Sequence, residues 1–523
     1  MENVKKNINM NHICGKTSGQ FTLNDDFNVP DDKPDIYKKI TDNGEVVIEG
    51  IRNSDGKTTV TGFLKFSMLY QSDYGNTKTK KGKVCPFAGI EGKIEFSENM
   101  NVPGIKPTDT IKIVTQVDDL TITIINSRKI SVMAVVSYNV LGENTYTTMA
   151  ITDIDDKKMQ VLKKNLDMLI QIENKKDILR VREQYELPSS KPNIGEIIWS
   201  VTKIRNLETK TATDELVVGG DIYVFAMYET EDAGDNIQYI EAELPFIGKL
   251  AMNGVKEDMI PDISVSVSQS NVLVRPDYDG EQRILECEMV LDLDVKVYEE
   301  QSVSLITDVY SVDKKISPTI SDTSYNRLLI RNHSRCKASN KFRIDDRKDK
   351  ILQIINSSAN VNIDDCEINE KGIMAEGVIL VSIIYISDND DERIGCLNKE
   401  LPFNQQIDVP EINKECFYSI KPQLEQMSTM MLGSDEIEVK ASLGLDTLVL
   451  EPMKENVITE LMEEDICYEE IKKIPGIYGH IVKEGENLWD IAKEHYTTKE
   501  RIMADNNLGS ENLTLGMKLL VVR

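Results

Sequence analysis

The sequence VPDDKPDI at residues 29–36 returns as LPSSKPNI at residues 187–194, 158 positions later. A third copy, IDDRKDKI at residues 344–351, keeps the two apolar ends and lacks both prolines. An aromatic residue stands two positions before each of the three signatures, at Phe27, Tyr185 and Phe342. Such spaced self-similarity indicates tandem domains with a period of about 157 residues.

Two more landmarks keep the same order in every copy. A tyrosine follows a glycine at a distance of eight residues; the pairs are Gly62 and Tyr70, Gly220 and Tyr228, and Gly377 and Tyr385. Each copy then closes on an Ile-Thr-acid segment, at residues 151–154, 306–309 and 458–461. The landmarks predict three homologous domains, with boundaries at residues 1–155, 156–312 and 313–450.

Alternating apolar residues after each glycine predict β-strands. Leu64, Phe66 and Met68 show this period of two in the first copy. The opposite face is also partly apolar in the second and third copies, which is typical of a strand inside a sandwich or barrel. The sequence therefore predicts a mainly β protein with three tandem antiparallel repeats, each sandwich-like or barrel-like.

Turns and short helices complete the predicted repeat. Clusters of Gly, Asn and Asp at residues 232–236, and of Asp and Asn at 388–391, predict hairpin turns. Short helices are expected only just after the signature, at residues 194–201 and 351–356.

The charge balance excludes several partners. Of 523 residues, 61 are Lys or Arg and 88 are Asp or Glu, which gives a formal net charge of −27. A phosphate backbone would repel such a chain, so nucleic acid is not expected as a partner, and anionic lipid is disfavoured for the same reason. The first twenty residues lack the apolar stretch of a signal peptide. We expect a protein that is made and kept in the cytosol.

The polar residues do not form a recognisable catalytic or metal motif. The eight cysteines and four histidines are scattered, without the paired spacing of a zinc site. Gly15, Lys16 and Thr17 match the end of a phosphate-binding loop, but Met10 stands where that loop needs a glycine. We expect free thiols and packing roles for the repeated tyrosines. The sequence predicts no catalytic residue, no metal and no cofactor.

The composition changes after residue 450. Residues 451–473 contain eight acidic and three basic side chains, so residues 451–477 are predicted to be an acidic linker. Residues 478–523 then fit the order strand, helix, helix, strand. Asn487 is a candidate N-cap of the first helix, and Thr497 with Glu500 has the spacing of a capping box for the second.

This last segment resembles the LysM domain. The matching pieces are VKEG at residues 482–485, LWDIA at 488–492, NL at 507–508 and LTLGMKL at 513–519. Glu486 and Asn487 replace the usual Asp-Thr pair, and Leu515 replaces the usual proline. Trp489 is expected to be partly buried against the sheet rather than to stack on a ligand.

LysM domains typically bind polymers of N-acetylglucosamine, and the resemblance implies a groove between two loops. Carried over to this chain, the groove residues are Gly485, Glu486, Asn487, Leu488, Asn507, Leu508, Leu513, Thr514 and Leu515. In a cytosolic protein the same groove could bind a protein partner or a glycan precursor, and both alternatives stay open.

The complete arrangement, three signature repeats followed by a LysM domain, is similar to the SipL family of clostridial spore-coat morphogenetic proteins. The resemblance implies a non-enzymatic scaffold in the mother-cell cytoplasm, at the forespore surface and in the spore coat. There it would anchor the ATPase of the coat's basement layer, SpoIVA, through its LysM domain. Other coat proteins or self-association would involve the repeats.

Two other functions remain as alternatives. The first is a protein that binds peptidoglycan or its lipid-linked precursor through the LysM domain. The second is a wall hydrolase, which is disfavoured because no catalytic motif is visible. Residues 478–523 contain six basic and seven acidic side chains, so the net charge belongs almost wholly to the repeats and linker. A neutral domain on an acidic body favours the scaffold.

Overall fold

The computed structural model describes residues 3–73, 86–156, 158–231, 237–343, 350–389, 393–433, 435–465 and 476–523. Strands dominate this part of the chain, and two short helices lie near its carboxyl end. The prediction of a mainly β protein is confirmed. Three repeats follow one another, and each contains six strands in the same order.

The strands of the three repeats correspond one to one. Repeat 1 contains β1 (Asn3–Asn28), β2 (Ile36–Ser54), β3 (Lys57–Ser72), β4 (Phe87–Asn101), β5 (Thr110–Asn126) and β6 (Lys129–Ile154). Repeat 2 contains β7 (Met159–Glu186), β8 (Ile194–Ala212), β9 (Glu215–Thr230), β10 (Ile237–Ala251), β11 (Ile260–Pro276) and β12 (Gln282–Ser311). Repeat 3 contains β13 (Lys314–Arg343), β14 (Ile351–Asn369), β15 (Gly372–Ser387), β16 (Ile394–Asp408), β17 (Phe417–Met431) and β18 (Glu436–Asp465).

Each repeat is a sandwich of two three-stranded antiparallel sheets. In repeat 1 the sheets have the orders β1-β6-β5 and β2-β3-β4, and repeats 2 and 3 use the equivalent strands. Leu64 and Phe66 of one sheet pack on Val132 and Ala134 of the other in a common core. The opposite face of β3 is buried too, because Leu69 contacts neighbouring repeats. The double burial explains the apolar residues on both faces of these strands.

The signature forms the loop that crosses from one sheet to the other. In repeat 1 the guanidinium of Arg128 donates to the backbone carbonyls of Lys33 (2.7 Å), Val29 (3.0 Å) and Pro30 (2.9 Å). The hydroxyl of Tyr70 donates to the Pro34 carbonyl at 2.8 Å. These bonds satisfy loop carbonyls that no sheet partner can reach. The repeated tyrosine therefore has a structural role.

Repeat 2 uses the same device. Arg283 donates to the carbonyls of Leu187 (3.2 Å), Pro188 (2.9 Å) and Lys191 (3.1 Å), and Tyr228 donates to Pro192 at 3.0 Å. In repeat 3 the strand register places Asp435 at the position of the arginine. The third signature has thus lost its prolines together with the arginine that holds the loop. Its residues 344–349 lie outside the described residues.

The two predicted helices after the signatures are wrong. Residues 194–201 begin β8, and residues 351–356 begin β14. Both strands carry register shifts near their starts, between Ile194 and Glu196 and between Ile351 and Gln353. Such bulges interrupt the alternation of apolar residues between the two faces of a strand, so the apolar spacing in the sequence resembles that of a helix. Of the predicted turns, residues 232–236 and 390–391 lie outside the described residues.

The predicted acidic linker begins with a strand. Residues 451–465 belong to β18 and pair with β13, from Glu451 opposite Arg327 to Asp465 opposite Lys314. Val457 is buried in this segment, so its acidic residues flank a packed face and are not a solvated connection. Residues 466–475 lie outside the described residues.

The first and last strands of each repeat extend beyond their third partner as two-stranded ribbons. The ribbons join residues 3–12 with 144–154, 159–170 with 299–311, and 314–327 with 451–465. The three ribbons share one apolar core, which contains Ile8 of repeat 1, Leu305 of repeat 2, and Tyr325 of repeat 3. We call this bundle the stalk and the three sandwiches the head.

In the head the repeats contact one another in a closed ring. One buried position on the second strand of each repeat reaches the third strand of a neighbour. The contacts join Trp199 to Ser67 (3.3 Å), Asn356 to Tyr223 (2.5 Å) and Thr41 to Ser382 (3.5 Å). Repeat 2 thus touches repeat 1, repeat 3 touches repeat 2, and repeat 1 touches repeat 3. The arrangement is that of a cyclic trimer within one chain.

A cavity of about 2930 Å³ lies where the three repeats meet. Glu45, Lys203 and Asn360 occupy equivalent register positions in the three repeats, and all three line the cavity. The ammonium of Lys203 donates to the carbonyl of Ala359 at 2.8 Å and to Asn360 Oδ1 at 2.6 Å. Burial lowers the pKa of Lys203 to about 8.

Candidate functional site

The carboxyl-terminal domain has the predicted order of strand, helix, helix, strand. Its elements are β19 (Ile477–Ile481), α1 (Leu488–Glu494), α2 (Lys499–Asp505) and β20 (Lys518–Val522). Asn487 caps α1, since its side-chain oxygen accepts from the backbone N–H of Asp490 at 2.9 Å. Thr498, rather than the predicted Thr497, caps α2 by accepting from the Arg501 N–H. Thr497 is buried, and its hydroxyl donates to the Val522 carbonyl at 2.7 Å.

Two loops of this domain lie side by side. The Val482 carbonyl accepts from the Gly516 N–H, and the Val482 N–H donates to the Met517 carbonyl, both at 2.9 Å. These bonds place residues 483–487 next to residues 513–516. The two loops are the walls that the sequence predicts for the groove.

The nine predicted groove residues differ in exposure. Gly485, Glu486, Asn487, Thr514 and Leu515 reach solvent in the two loops, and Leu515 is 73% exposed. Leu488 is 1% exposed and belongs to the core of the domain, so its assignment to the groove surface is wrong. Leu508 and Leu513 are partly buried against that core. Asn507 follows α2 in a left-handed conformation with φ of +50° and is exposed.

The two unusual groove residues are engaged within the domain. The Glu486 carboxylate accepts from the Lys483 N–H at 2.9 Å and lies 2.7 Å from His480 Nε2. The Lys483 N–H and His480 lower the pKa of Glu486. Asn487 is committed to the helix cap. Glu486 and Asn487 are therefore not free to bind a ligand, and the exposed groove side chains that remain are Asn507, Thr514 and Leu515.

The LysM-like domain is held on the end of the stalk by one face of α1. Trp489 Nε1 donates to Asp308 Oδ2 at 2.8 Å, and Lys493 Nζ lies 2.7 Å from Asp308 Oδ1. The ring of Tyr310 meets the ring of Trp489 edge-on, with 4.9 Å between centroids. The Tyr310 hydroxyl donates to the Thr497 carbonyl at 2.9 Å. This contact fixes the domain while leaving the groove loops exposed.

Trp489 is buried, as predicted, but its ring packs on repeat 2 and not only on its own domain. Sequence reasoning missed this contact, although a signal existed. Asp308 belongs to the closing landmark of repeat 2, and Tyr310 follows it two positions later. The equivalent positions in the other repeats are Asp155 and Met462, so an aromatic residue is present only where the domain docks.

Charged side chains also cross the boundaries between repeats. Asp262 of repeat 2 pairs with Lys421 of repeat 3 and, at 3.5 Å, with Lys112 of repeat 1. Burial alone would raise the pKa of Asp262, but the two lysines lower it. Lys296 of repeat 2 contacts Glu143 of repeat 1 in a buried pair. These ion pairs join the repeats, and Lys112, Asp262 and Lys421 line the cavity.

The six described cysteines are free thiols, and burial raises the pKa of Cys14 to about 11 and of Cys287 to about 12. Within the described ranges, His, Cys, Asp and Glu side chains do not gather in groups of three or more that could hold a metal ion. Among the described helices, neither is long and apolar enough to span a membrane.

Comparison with known protein families gives two matches. The SipL, SPOCS domain matches three times, at residues 35–125, 193–274 and 350–432, and the LysM domain matches residues 480–522. Neither the curated proteins nor the solved structures contain a match. Each SPOCS match begins at the end of a signature and covers the second to fifth strands of one repeat. The combination fits a sporulation-related protein, and the chain belongs to the family of proteins that carry SipL, SPOCS domains together with a carboxyl-terminal LysM domain.

Proposed function

We propose that the protein is a non-enzymatic scaffold of spore-coat assembly that captures the coat-scaffold ATPase, SpoIVA, through its LysM domain. One observation carries the proposal: the LysM domain is fixed to the stalk by α1, while its groove loops remain exposed. A rigid body with an outward-facing binding domain suits a tether, because little orientational freedom is lost when the partner binds.

The chemistry of the groove supports a protein partner. Glu486 and Asn487 are used in local hydrogen bonds, whereas Leu515 is 73% exposed beside them. An exposed apolar side chain that belongs to a larger apolar patch marks an interaction site, and Ile481 of the neighbouring β19 is exposed as well. A sugar would need free polar groups to replace its bonds to water.

The repeats support the structural part of the proposal. Two ion pairs cross repeat boundaries, Lys421 with Asp262 and the buried Lys296 with Glu143. Such pairs specify how the three sandwiches fit together. The net charge of −27 lies mainly in the repeats, which discourages unspecific association with other acidic surfaces. We place the protein in the mother-cell cytoplasm, at the forespore surface and in the coat.

Glycan binding through the same groove is the second candidate. It is favoured by the LysM match at residues 480–522 and by the open space around Gly485 and Gly516, whose backbone a sugar could approach. Its ligand would be peptidoglycan or the lipid-linked precursor.

One experiment separates the two functions. The purified full-length protein is immobilised, and its binding to the purified ATPase and to chitin oligomers is measured by interferometry. Leu515→Ala should weaken capture of the ATPase about five- to thirtyfold, because burying its exposed side chain contributes about 1–2 kcal/mol. Ile247→Ala is the matched control, since Ile247 is 77% exposed on the head. Micromolar binding of chitin oligomers without capture of the ATPase would replace the scaffold by the glycan-binding function.

A further inference from the structure

The two strands of the LysM sheet have very different outer edges. The outer edge of β20 is covered, because the side chain of Asn506 accepts from the Leu520 N–H at 2.7 Å and donates to the Leu520 carbonyl at 2.6 Å. The Thr497 hydroxyl donates to the Val522 carbonyl further along the same edge. An exposed strand edge is a template for pairing, and here side chains occupy it.

Among the described strands, none pairs with the outer edge of β19. The N–H and C=O of Leu520 both bond to Asn506. Leu520 and its opposite residue, Gly479, are therefore a pair that shares no hydrogen bond across the ladder. In an antiparallel ladder the N–H and C=O of such a residue point away from the partner strand. Those of Gly479 therefore point outward from β19. A Cβ built on Gly479 would meet no atom within 4 Å, so an alanine fits at this position without a clash.

Apolar side chains flank this open edge on one face. Ile477 and Ile481 lie two residues to either side of Gly479 and are 67% and 58% exposed, and Leu520 opposite Gly479 is 44% exposed. The face continues to Leu515, because the N–H of the next residue, Gly516, donates to the carbonyl of Val482, which follows Ile481. A contiguous apolar face of this kind on a small domain marks an interaction site.

The charge at this face contrasts with that of the whole chain. β19 and β20 contain one lysine, Lys518, opposite Ile481, and no carboxylate, whereas the chain has a net charge of −27. The contacts that dock the domain on the stalk involve α1 and Thr497, so they leave β19 free. The complementary ligand is an extended segment with apolar residues on one face and a carboxylate near Lys518.

We propose that the LysM domain binds its protein partner by strand addition at the outer edge of β19. The partner segment pairs with the N–H and C=O of Gly479, and its apolar side chains pack on Ile477, Ile481 and Leu520. Backbone hydrogen bonds would supply affinity, and the alternating side chains would supply specificity. This inference rests on the proposed function and names the surface through which the ATPase is captured.

The test compares two substitutions at one position in the full-length chain. Gly479→Pro removes an N–H that β20 does not use, and Gly479→Ala keeps that N–H and adds a methyl group in open space. We expect Gly479→Pro to weaken capture of the purified ATPase by about tenfold or more and Gly479→Ala to bind within about twofold of the parent chain. Thermal unfolding and Trp489 emission report whether both variants fold.

A second measurement does not depend on the proline variant. In the free parent chain, hydrogen exchange of the Gly479 amide should be fast. In the complex with the ATPase, the exchange rate should fall at least tenfold. Unchanged exchange in a complex that forms would overturn strand addition and leave the scaffold function standing, with Leu515 as the anchor. No capture by the parent chain would overturn the proposed function itself. A dimer of the chain alone that Gly479→Pro dissociates would assign the edge to a second copy and overturn the proposal.

Discussion

Replacing Asp308 with alanine should release the LysM domain from the stalk without unfolding either part. Asp308 is the acceptor for Trp489 Nε1 and the ion-pair partner of Lys493. It contributes no atom to the apolar core of the LysM domain. The change therefore weakens the docking contact selectively.

The size of the effect follows from the two contacts. A hydrogen bond from a neutral donor to a carboxylate contributes about 1.5–3 kcal/mol when its donor is buried, and Trp489 is 7% exposed. The ion pair adds about 0.2–1 kcal/mol, because Lys493 and Asp308 keep side-chain exposures of 42% and 27%. Together they imply a loss of about 1.7–4 kcal/mol, which shifts the docking equilibrium roughly 20- to 900-fold toward the free domain.

Tryptophan fluorescence can follow this change. The chain has two tryptophans, and Trp199 is 6% exposed between repeats in the head, so it stays shielded. Undocking exposes Trp489, which should increase quenching by acrylamide and shift emission to longer wavelength. The control is Asp153→Ala at the equivalent position of repeat 1, where the carboxylate pairs with Lys163 at 2.7 Å. Equal quenching in the two variants would refute the reasoning, since the carboxylate would then add nothing to docking.

Two further predictions concern the repeats. Arg283→Ala removes the hydrogen-bond donors to the second signature loop and should lower the free energy of unfolding, measured by urea titration, by about 2–3 kcal/mol. The control is Arg180→Ala at an exposed position, which should change it by less than about 0.5 kcal/mol. Equal urea midpoints for the two variants would show that the loop does not need the arginine. Lys203 has a pKa lowered by burial to about 8, so the unfolded chain binds more protons between pH 8 and the ordinary value of 10.5, and stability from this group rises with pH in that window. In the parent chain, the free energy of unfolding should rise by about 1–2 kcal/mol between pH 8 and 10.5 because of this group. The rise is smaller than the full pKa shift implies, because Lys203 lines the cavity, which leaves the ammonium partly hydrated. Lys203→Met should abolish the rise, and a variant whose stability depends on pH as in the parent chain would contradict the assignment.

The sequence was most informative where a contact stays within one repeat. The signature and the tyrosine eight residues after the glycine act on one another in both intact copies, through Tyr70 with Pro34 and Tyr228 with Pro192. Because selection acts on the same local bonds in each copy, the residue types recur at a fixed period. The same reasoning holds in the LysM domain, where the cap at Asn487 and the buried face of α1 are local features.

The helices predicted after the signatures failed because two burial patterns overlap. Ile194 packs into the sandwich of its own repeat, whereas Ile198 and Trp199 pack against neighbouring repeats. Register shifts near the start of β8 alter which face each residue occupies. The resulting apolar spacing cannot be told from a helical one without knowing that the strand is buried on both sides.

Contacts between repeats could not be predicted, because equivalent positions carry different residues. Contacts of Thr41, Trp199 and Asn356 join the three repeats in a ring. These residues occupy one equivalent register position but are of three different types. Two of their partners, Ser67 and Ser382, are equivalent serines, but the third is Tyr223, so the pairing is not repeated in all three copies. The acidic ribbon at residues 451–465 was missed for a related reason: its buried residues pack on ribbons that lie far away in the sequence.

A tandem chain allows what three identical subunits cannot. In a symmetric trimer every stalk ribbon would end in the same residues and would dock the same domain three times. Here the equivalent positions are Asp155, Tyr310 and Met462, and at this position an aromatic ring occurs only on the second ribbon. The ring of Tyr310 and the carboxylate of Asp308 therefore form one docking site for one LysM domain. Divergence of the third signature fits the same logic, because a repeat held on both sides by its neighbours can lose a local loop contact and keep its place in the ring.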